Sequence, residues 1–246
     1  MIEYRGVHKS FGPKTVLNGV NLAVPEGQIF FVLGKTGAGK TVMIRMLVGL
    51  VRPDAGAVLV DGEDVARLPE ERFQAIRRKC GMVFQLPTLF DSMTVYENVA
   101  FGLRRLGRYH EEEIAAKIFD ALEKVELGRE LAGRAPGELS FGEQKRVGLA
   151  RTLVLSPRYL LYDEPTTGLD PFTASRITAL IRDVNKSLGT TSIVVSHDLE
   201  SMAEIADRVG LLWDGGFRFL GTVPEFLNID DEAAAQFRLS FTGSHA

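Results

Sequence analysis

Residues 34–41 read Gly-Lys-Thr-Gly-Ala-Gly-Lys-Thr, the pattern G-x-x-x-x-G-K-[ST]. Gly34, Gly37 and Gly39 let backbone N–H groups close around phosphate oxygens without Cβ clashes, with Lys35, Thr36 and Ala38 between them. A helix opening directly after the loop adds the partial positive charge of its N-terminus. In that arrangement Lys40 reaches the β- and γ-phosphates of a nucleotide, and the Thr41 hydroxyl coordinates Mg²⁺. A second constellation closes the apolar run 159–164, Tyr-Leu-Leu-Tyr-Asp-Glu. Two acids at a strand end can be plain solvated residues. Behind a buried strand and downstream of a phosphate loop they suit a Mg²⁺ site better, with Asp163 holding the ion through its water shell. Glu164 then polarises an attacking water as general base. The phosphate loop alone does not choose between a transporter ATPase, a GTPase and a small-molecule kinase. The adjacent second acid, which the last two do not need, points to an ATP-hydrolysing motor.

These groups need elements to hold them. Residues 28–33, QIFFVL, form an unbroken apolar run before Gly34 and suit a central strand buried on both faces. Helical spacing follows from Gly39 to about Leu50. Residues 2–9 and 16–24 read as strands joined by the turn Phe11-Gly12-Pro13. Pro53, Gly56 and Asp61-Gly62 read as punctuation of an irregular stretch. A helix is expected at 68–79 and a strand at 81–85. From 86 to 155 helical spacing dominates, at 95–106, 111–126 and 140–155. After Pro157 strands (158–163, 191–196, 208–213) alternate with helices (171–187, 198–206). The tail from Asn228 reads as helical through Phe237 with a frayed end. The fold class expected is α/β: a P-loop, RecA-like core with a mostly parallel sheet, an N-terminal antiparallel β subdomain and an inserted helical subdomain. One domain spans 1–246, with its core at 1–85 and 156–227, the helical subdomain at 86–155 and the tail at 228–246.

Composition sets outer bounds. The chain has 246 residues, 45% hydrophobic and 25% charged, as in ordinary globular domains able to bury a sizeable core. The net charge is −3 with no dense basic block, so no nucleic-acid partner is expected. The one cysteine, Cys80, excludes an internal disulfide and reads as a buried residue at a strand start. No apolar run approaches the ~20 residues of a membrane span, so any spans would come from another polypeptide.

The order of the motifs resembles the ABC ATPases over about residues 2–225. Phe11 sits where that family stacks an aromatic on adenine, and Thr15 belongs with the nucleotide-binding residues. Gln85, read as ending a strand, resembles the Q-loop glutamine and would join Thr41 and Asp163 around the metal. Residues 139–146, LSFGEQKR, occupy the signature position. Asp163 and Glu164 match the Walker B acid and catalytic glutamate. Gly168-Leu169-Asp170 resembles the D-loop, and His197, closing SIVVS, resembles the switch histidine. Singly, Phe11, Gln85 and His197 would be ordinary structural residues, and Asp170-Pro171 is also a good helix start.

The resemblance implies ATP and Mg²⁺ as cofactors and a head-to-tail homodimer sandwiching two ATP molecules. Ser140 and Gly142 of one copy would meet the nucleotide held by Lys40, Glu164 and His197 of the other, and Asp170 would couple the two sites. It also implies integral-membrane permease subunits as partners, at the cytoplasmic face of the inner (plasma) membrane. The signature departs from L-S-G-G-Q at Phe141 and Glu143. Ser140-Phe141-Gly142-Glu143 is also a capping box, so the Glu143 carboxylate is expected to fold back onto the helix start. Leu86, Leu89, Phe90 and Met93 read equally as a small core or as a groove for the permease. The segment LFDSMTVYENVAF and the later GTVPEFL and DDEAAAQF resemble ATPases of MCE-type phospholipid transport systems. That similarity implies lipid transport across the bacterial envelope, an MCE lipid-binding protein as a further partner, and a dimer-pairing tail. Nutrient importers for polyamines, sugars or amino acids carry similar segments and remain the alternative. A non-transport ABC ATPase would bring a second cassette or coiled coil that is not seen here.

Overall fold

In a computed structural model, the backbone is described for residues 1–242 and the side chains through residue 239. In chain order the elements are β1 (Ile2–Phe11), β2 (Lys14–Val24), β3 (Ile29–Leu33), α1 (Lys40–Leu47), β4 (Ala55–Val60), β5 (Glu63–Asp64), α2 (Glu70–Lys79) and β6 (Cys80–Val83). Then come α3 (Val95–Leu106), α4 (Glu111–Lys124), α5 (Phe141–Leu153), β7 (Tyr159–Asp163), α6 (Pro171–Leu188), β8 (Thr191–Ser196), α7 (Leu199–Ile205), β9 (Arg208–Trp213), β10 (Gly216–Gly221), α8 (Val223–Asn228) and α9 (Glu232–Thr242).

β3 shows why the core sits where it does. All five of its residues are buried, and they alternate between two cores. Ile29, Phe31 and Leu33 face one that contains α3 to α6, while Phe30 and Val32 face another with α1 and the N-terminal strands. Only a strand covered on both sides can be apolar at every position. It lies third in a six-stranded sheet of order β10-β9-β3-β8-β7-β6, parallel except at β10. β1, β2, β4 and β5 form a separate antiparallel sheet of order β2-β1-β4-β5. The expected mostly parallel core, antiparallel N-terminal sheet and inserted helices α3 to α5 are all present.

Four local expectations need correction. The stretch read as punctuation contains β4 and β5. Gly56 has φ +86°, and a Cβ there would lie 2.2 Å from the Gly6 carbonyl oxygen. That glycine serves close strand approach, not a break. β10 was not foreseen, although Asp214 (φ +47°) and Gly215 (φ +82°) form a hairpin turn with the strand twist that such pairs favour. β6 ends at Val83, so Gln85 lies two residues beyond the strand. The tail is not one helix from Asn228. α8 stops there, and Asp231 restarts the chain as α9 by accepting from the Ala234 N–H at 3.1 Å while Arg218 pairs with its other oxygen at 2.8 Å. Phe226 and Phe237 from these two helices are fully buried in the core. The expected frayed end, 243–246, lies outside the described residues.

Cys80 does open a buried strand, and burial pushes its thiol up to about 12. Glu111, Glu112 and Glu113 form the first turn of α4, where the helix dipole favours acids. Among the described residues no helix is long and apolar enough to cross a membrane.

Candidate nucleotide site

The loop after β3 is shaped by its glycines. Gly37 and Gly39 have φ of +81° and +104°, which other residues rarely adopt. A Cβ on Gly39 would meet Leu17 Cδ2 at 2.8 Å and Val16 Cγ1 at 2.9 Å, so β2 presses directly on the loop. α1 then starts with Gly39 as its N-cap and no side-chain cap. Its first N–H groups therefore find no side-chain acceptor, as an anion-binding helix start requires.

A cleft of about 450 Å³ lies over this helix start. It gathers Phe11, Thr36, Gly37, Ala38, Gly39, Lys40, Thr41, Gln85, Glu164 and His197 from the expected set, which places contributions from five separate stretches of the chain around one space. Lys14, Val16, Val42 and Thr167 also line it and were not singled out in the sequence. Lys14 carried a weak signal, being the first residue after the turn that presents Phe11. Phe11 stands 51% exposed at the rim, with the Lys9 ammonium 5.2 Å from its ring centroid. Thr15 and Lys35 line an adjoining cleft of about 270 Å³, and the Lys35 ammonium sits 4.2 Å from the Trp213 ring centroid. Gly34 is buried at the loop's start, where a Cβ would lie 2.7 Å from the Leu212 carbonyl oxygen. Ser140, Gly142 and Asp170 do not line the cleft.

At the cleft floor the ionisable groups are interlocked. Lys40 is 5% exposed, and its Nζ donates to the Gly34 carbonyl at 2.7 Å and approaches Glu164 Oε1 at 3.2 Å. Glu164 Oε2 meets His197 Nδ1 at 2.8 Å and accepts from the Thr167 hydroxyl at 3.2 Å. The Glu164 backbone has φ +48°, a left-handed conformation unusual for a non-glycine residue and often found at functional sites. Burial works against its charge, but the His197 hydrogen bond and the Lys40 charge outweigh it and hold the carboxyl below its usual range. Reciprocally, the bond to Glu164 raises His197.

Asp163 is buried at the end of β7 and accepts from the Thr41 hydroxyl at 2.6 Å, with Arg45 Nη2 at 3.8 Å from its other oxygen. Burial pushes its carboxyl up despite the Thr41 bond, so a cation beside it would relieve a desolvated charge. The Thr41 hydroxyl and the Asp163 carboxylate are oxygen donors of the kind a hard divalent ion takes, and Gln85 lines the same cleft as Thr41. Among the described residues no group of three or more His, Cys, Asp and Glu could hold a metal ion.

The signature segment is a helix start. Ser140 N-caps α5. Glu143 Oε2 accepts from the Ser140 N–H at 2.8 Å and from its hydroxyl at 2.7 Å, as the capping pattern predicted. Phe141 packs on the loop after Glu164 and Gly142 on the first turn of α6. The Phe141 ring edge lies 3.7 Å from the position of a Cβ on Gly168, and a Cβ on Gly142 would strike Thr173 Cγ2 at 2.6 Å. Asp170 caps α6 by accepting from the Thr173 N–H at 3.0 Å.

Residues 17–167 match the ABC transporter family. The chain is 41% identical to the methionine import ATP-binding protein MetN of Caulobacter vibrioides, covering 96% of this chain and 72% of that one. It is 37% identical to the probable ribonucleotide transport ATP-binding protein mkl of Mycobacterium leprae, covering 96% and 68%. Among solved structures it is similar to cbiO1 from Clostridium perfringens, part of the ABC transporter complex cbiONQ (TM-score 0.85, 29% identity, 98% and 95% covered). It is also similar to the ATP-binding cassette MJ0796 in a dimeric post-hydrolysis state bound to ADP and Pi (TM-score 0.82, 32% identity, 91% and 99% covered).

Proposed function

The chain belongs to the ABC transporter family, and we propose that its Lys40, Thr41, Asp163, Glu164 and His197 form the hydrolytic centre through which it drives a membrane permease. It is an ATP-binding, ATP-hydrolysing domain. The observation that carries the assignment of roles is the convergence at Glu164, where a half-buried carboxylate held ionised is gripped by Lys40 on one oxygen and by His197 and Thr167 on the other. A general base must be ionised and oriented, and this one is both. Thr41, Asp163 and Gln85 hold Mg²⁺, which supplies charge neutralisation to the phosphates. Phe11 stacks on the adenine. The loop Gly34–Gly39 and the start of α1 cradle the phosphates, with Thr15 and Lys35 flanking them.

Ser140, Gly142 and Asp170 lie outside the cleft, and the reading gives them to the nucleotide of a second copy. The dimeric state of the similar cassette MJ0796 supports that arrangement. Neither copy then surrounds a γ-phosphate alone, so ATP favours the closed dimer by its differential affinity for it.

The permease meets the exposed apolar face after Gln85, at the cytoplasmic face of the inner membrane. Leu86 is 64% exposed and Phe90 is 42% exposed, with the Phe101 ring 4.9 Å from that of Phe90. Exposed apolar groups of this kind mark interfaces. Leu89 packs instead against the core, so the cluster divides between the two roles foreseen for it.

The transported substrate is phospholipid, delivered with an MCE lipid-binding partner. Support comes from the likeness of residues 89–101, LFDSMTVYENVAF, to ATPases of such systems. Amino-acid import is the second reading, favoured by the 41% identity to a methionine import protein. Purification of the Glu164→Gln chain from native membranes with its bound partners separates them. A permease with a lipid-binding subunit supports phospholipid. A nutrient-type permease refutes it, and the absence of any membrane protein refutes the transport role.

A further inference from the structure

Lys145 is a charged side chain with only 6% of its surface exposed. It lies one turn into α5, and its ammonium leaves that helix to reach the loop after β7. Nζ donates to the Pro165 carbonyl at 2.7 Å and to the Thr167 carbonyl at 3.2 Å. The Phe141 ring lies 5.4 Å from the same amine and shields it. Burying an ammonium is costly, and an apolar side chain of similar length would fill this space without that cost. Burial pulls the amine down to about 8, with the Glu164 charge opposing the shift.

The two carbonyls it grips bracket the turn that carries Glu164's support. Thr167 donates its N–H to the Glu164 carbonyl at 3.3 Å and its hydroxyl to Glu164 Oε2 at 3.2 Å. The turn has no regular strand or helix to fix it, and it begins at a residue with φ +48°. We propose that Lys145 is a positioning residue for ATP hydrolysis: by holding the Pro165 and Thr167 carbonyls, it fixes the turn from which the Thr167 hydroxyl orients Glu164. The inference rests on Glu164 acting as the general base. It also means that the helix opening at Ser140 is tied to the hydrolytic residue of its own chain, through one side chain.

The test is steady-state MgATP hydrolysis by Lys145→Met, Lys145→Gln, Thr167→Val, Thr167→Ser and the double variant Lys145→Met with Thr167→Val, with melting temperatures and equilibrium binding of a fluorescent ATP analogue. Lys145→Met and Thr167→Val should each lower kcat about tenfold, since misplacing a catalytic group acts on the chemical step. KM and analogue affinity should stay within about twofold of the unaltered chain. Lys145→Gln, which can still donate to one carbonyl, should fall between, and Thr167→Ser should retain kcat. The double variant should be no slower than either single one, because both act through one turn. Should Lys145→Met fail to fold, Lys145→Gln and Thr167→Val decide the matter. Unchanged kcat, losses shared equally by kcat and KM, or losses that multiply in the double variant overturn the proposal. Glu164→Gln separates the two readings. If it retains full turnover, the base assignment fails and the inference with it. If it abolishes turnover while Lys145→Met and Thr167→Val do not slow it, the inference alone fails.

Discussion

Glu143→Gln is a one-atom change at the start of α5, with opposite expectations for stability and activity. The carboxylate accepts from the Ser140 N–H at 2.8 Å and the Ser140 hydroxyl at 2.7 Å, and these bonds hold it below its usual range. A glutamine carbonyl can accept from both donors, so the geometry survives and the charge does not. Charge-assisted hydrogen bonds are about twice as strong as neutral ones, which puts the loss near 0.5–1 kcal/mol. An acid in the first turn adds about 0.3–1 kcal/mol, reduced here by solvent screening. The total is about 1 kcal/mol, or about 2–4 °C in Tm for a domain of this size. The sign with pH follows from the depressed pKa. The contribution is present above the unfolded value of about 4.3 and disappears as pH falls through the lower folded value. Thermal unfolding from pH 7 down to about 3 should therefore show the two curves converging at the acid end. ATP turnover should stay within about threefold, because the carboxylate is engaged at the helix start and does not oppose a phosphate. A gain of about tenfold or more with unchanged Tm would place the charge against the nucleotide and refute the reasoning.

Gly39→Ala should cost about 1–3 kcal/mol and abolish detectable nucleotide binding, since the new Cβ meets Leu17 and Val16 at a φ of +104°; retained affinity in a calorimetric titration would sink this. Phe11→Ala should raise KM for ATP about five- to a hundredfold at nearly constant kcat, the range expected for one base–aromatic stack, and equal KM in the two proteins would exclude stacking. In Glu164→Gln, turnover should drop about 10²–10⁴-fold. The His197 pKa, held up chiefly by Glu164, should fall toward its ordinary value of about 6.5, read by NMR titration of the imidazole. A histidine still titrating high would show that another group holds it.

The elements that a single physical rule dictates were legible in the chain. QIFFVL suited a strand covered on both faces, and the apolar run before Asp163-Glu164 suited another that ends at the two acids. The Ser140–Glu143 spacing stated its own cap. Where two rules competed, local reading chose wrongly. Gly56 reads as a breaker, yet it permits the approach of β4 to β1 at the Gly6 carbonyl. Asp214-Gly215 carried a hairpin signal that should have announced β10. Asp231 was a helix cap in the middle of what periodicity took for one helix.

The sequence by itself determined the phosphate loop, the acid pair and the order of motifs, because each is a short run of residues whose chemistry follows from type and spacing. Tertiary structure alone decided which of them meet. Lys40 and His197 reach opposite oxygens of one carboxylate because β3, β8 and β7 are neighbours in the sheet, although far apart in the chain. Ser140, Gly142 and Asp170 were kept out of that cleft, and Lys145 was turned onto the Glu164 loop, by the packing of α5 against residues 165–173. No local pattern encodes such contacts. They arise from burial of apolar faces across the whole domain, which fixes the distance between side chains that are remote in sequence.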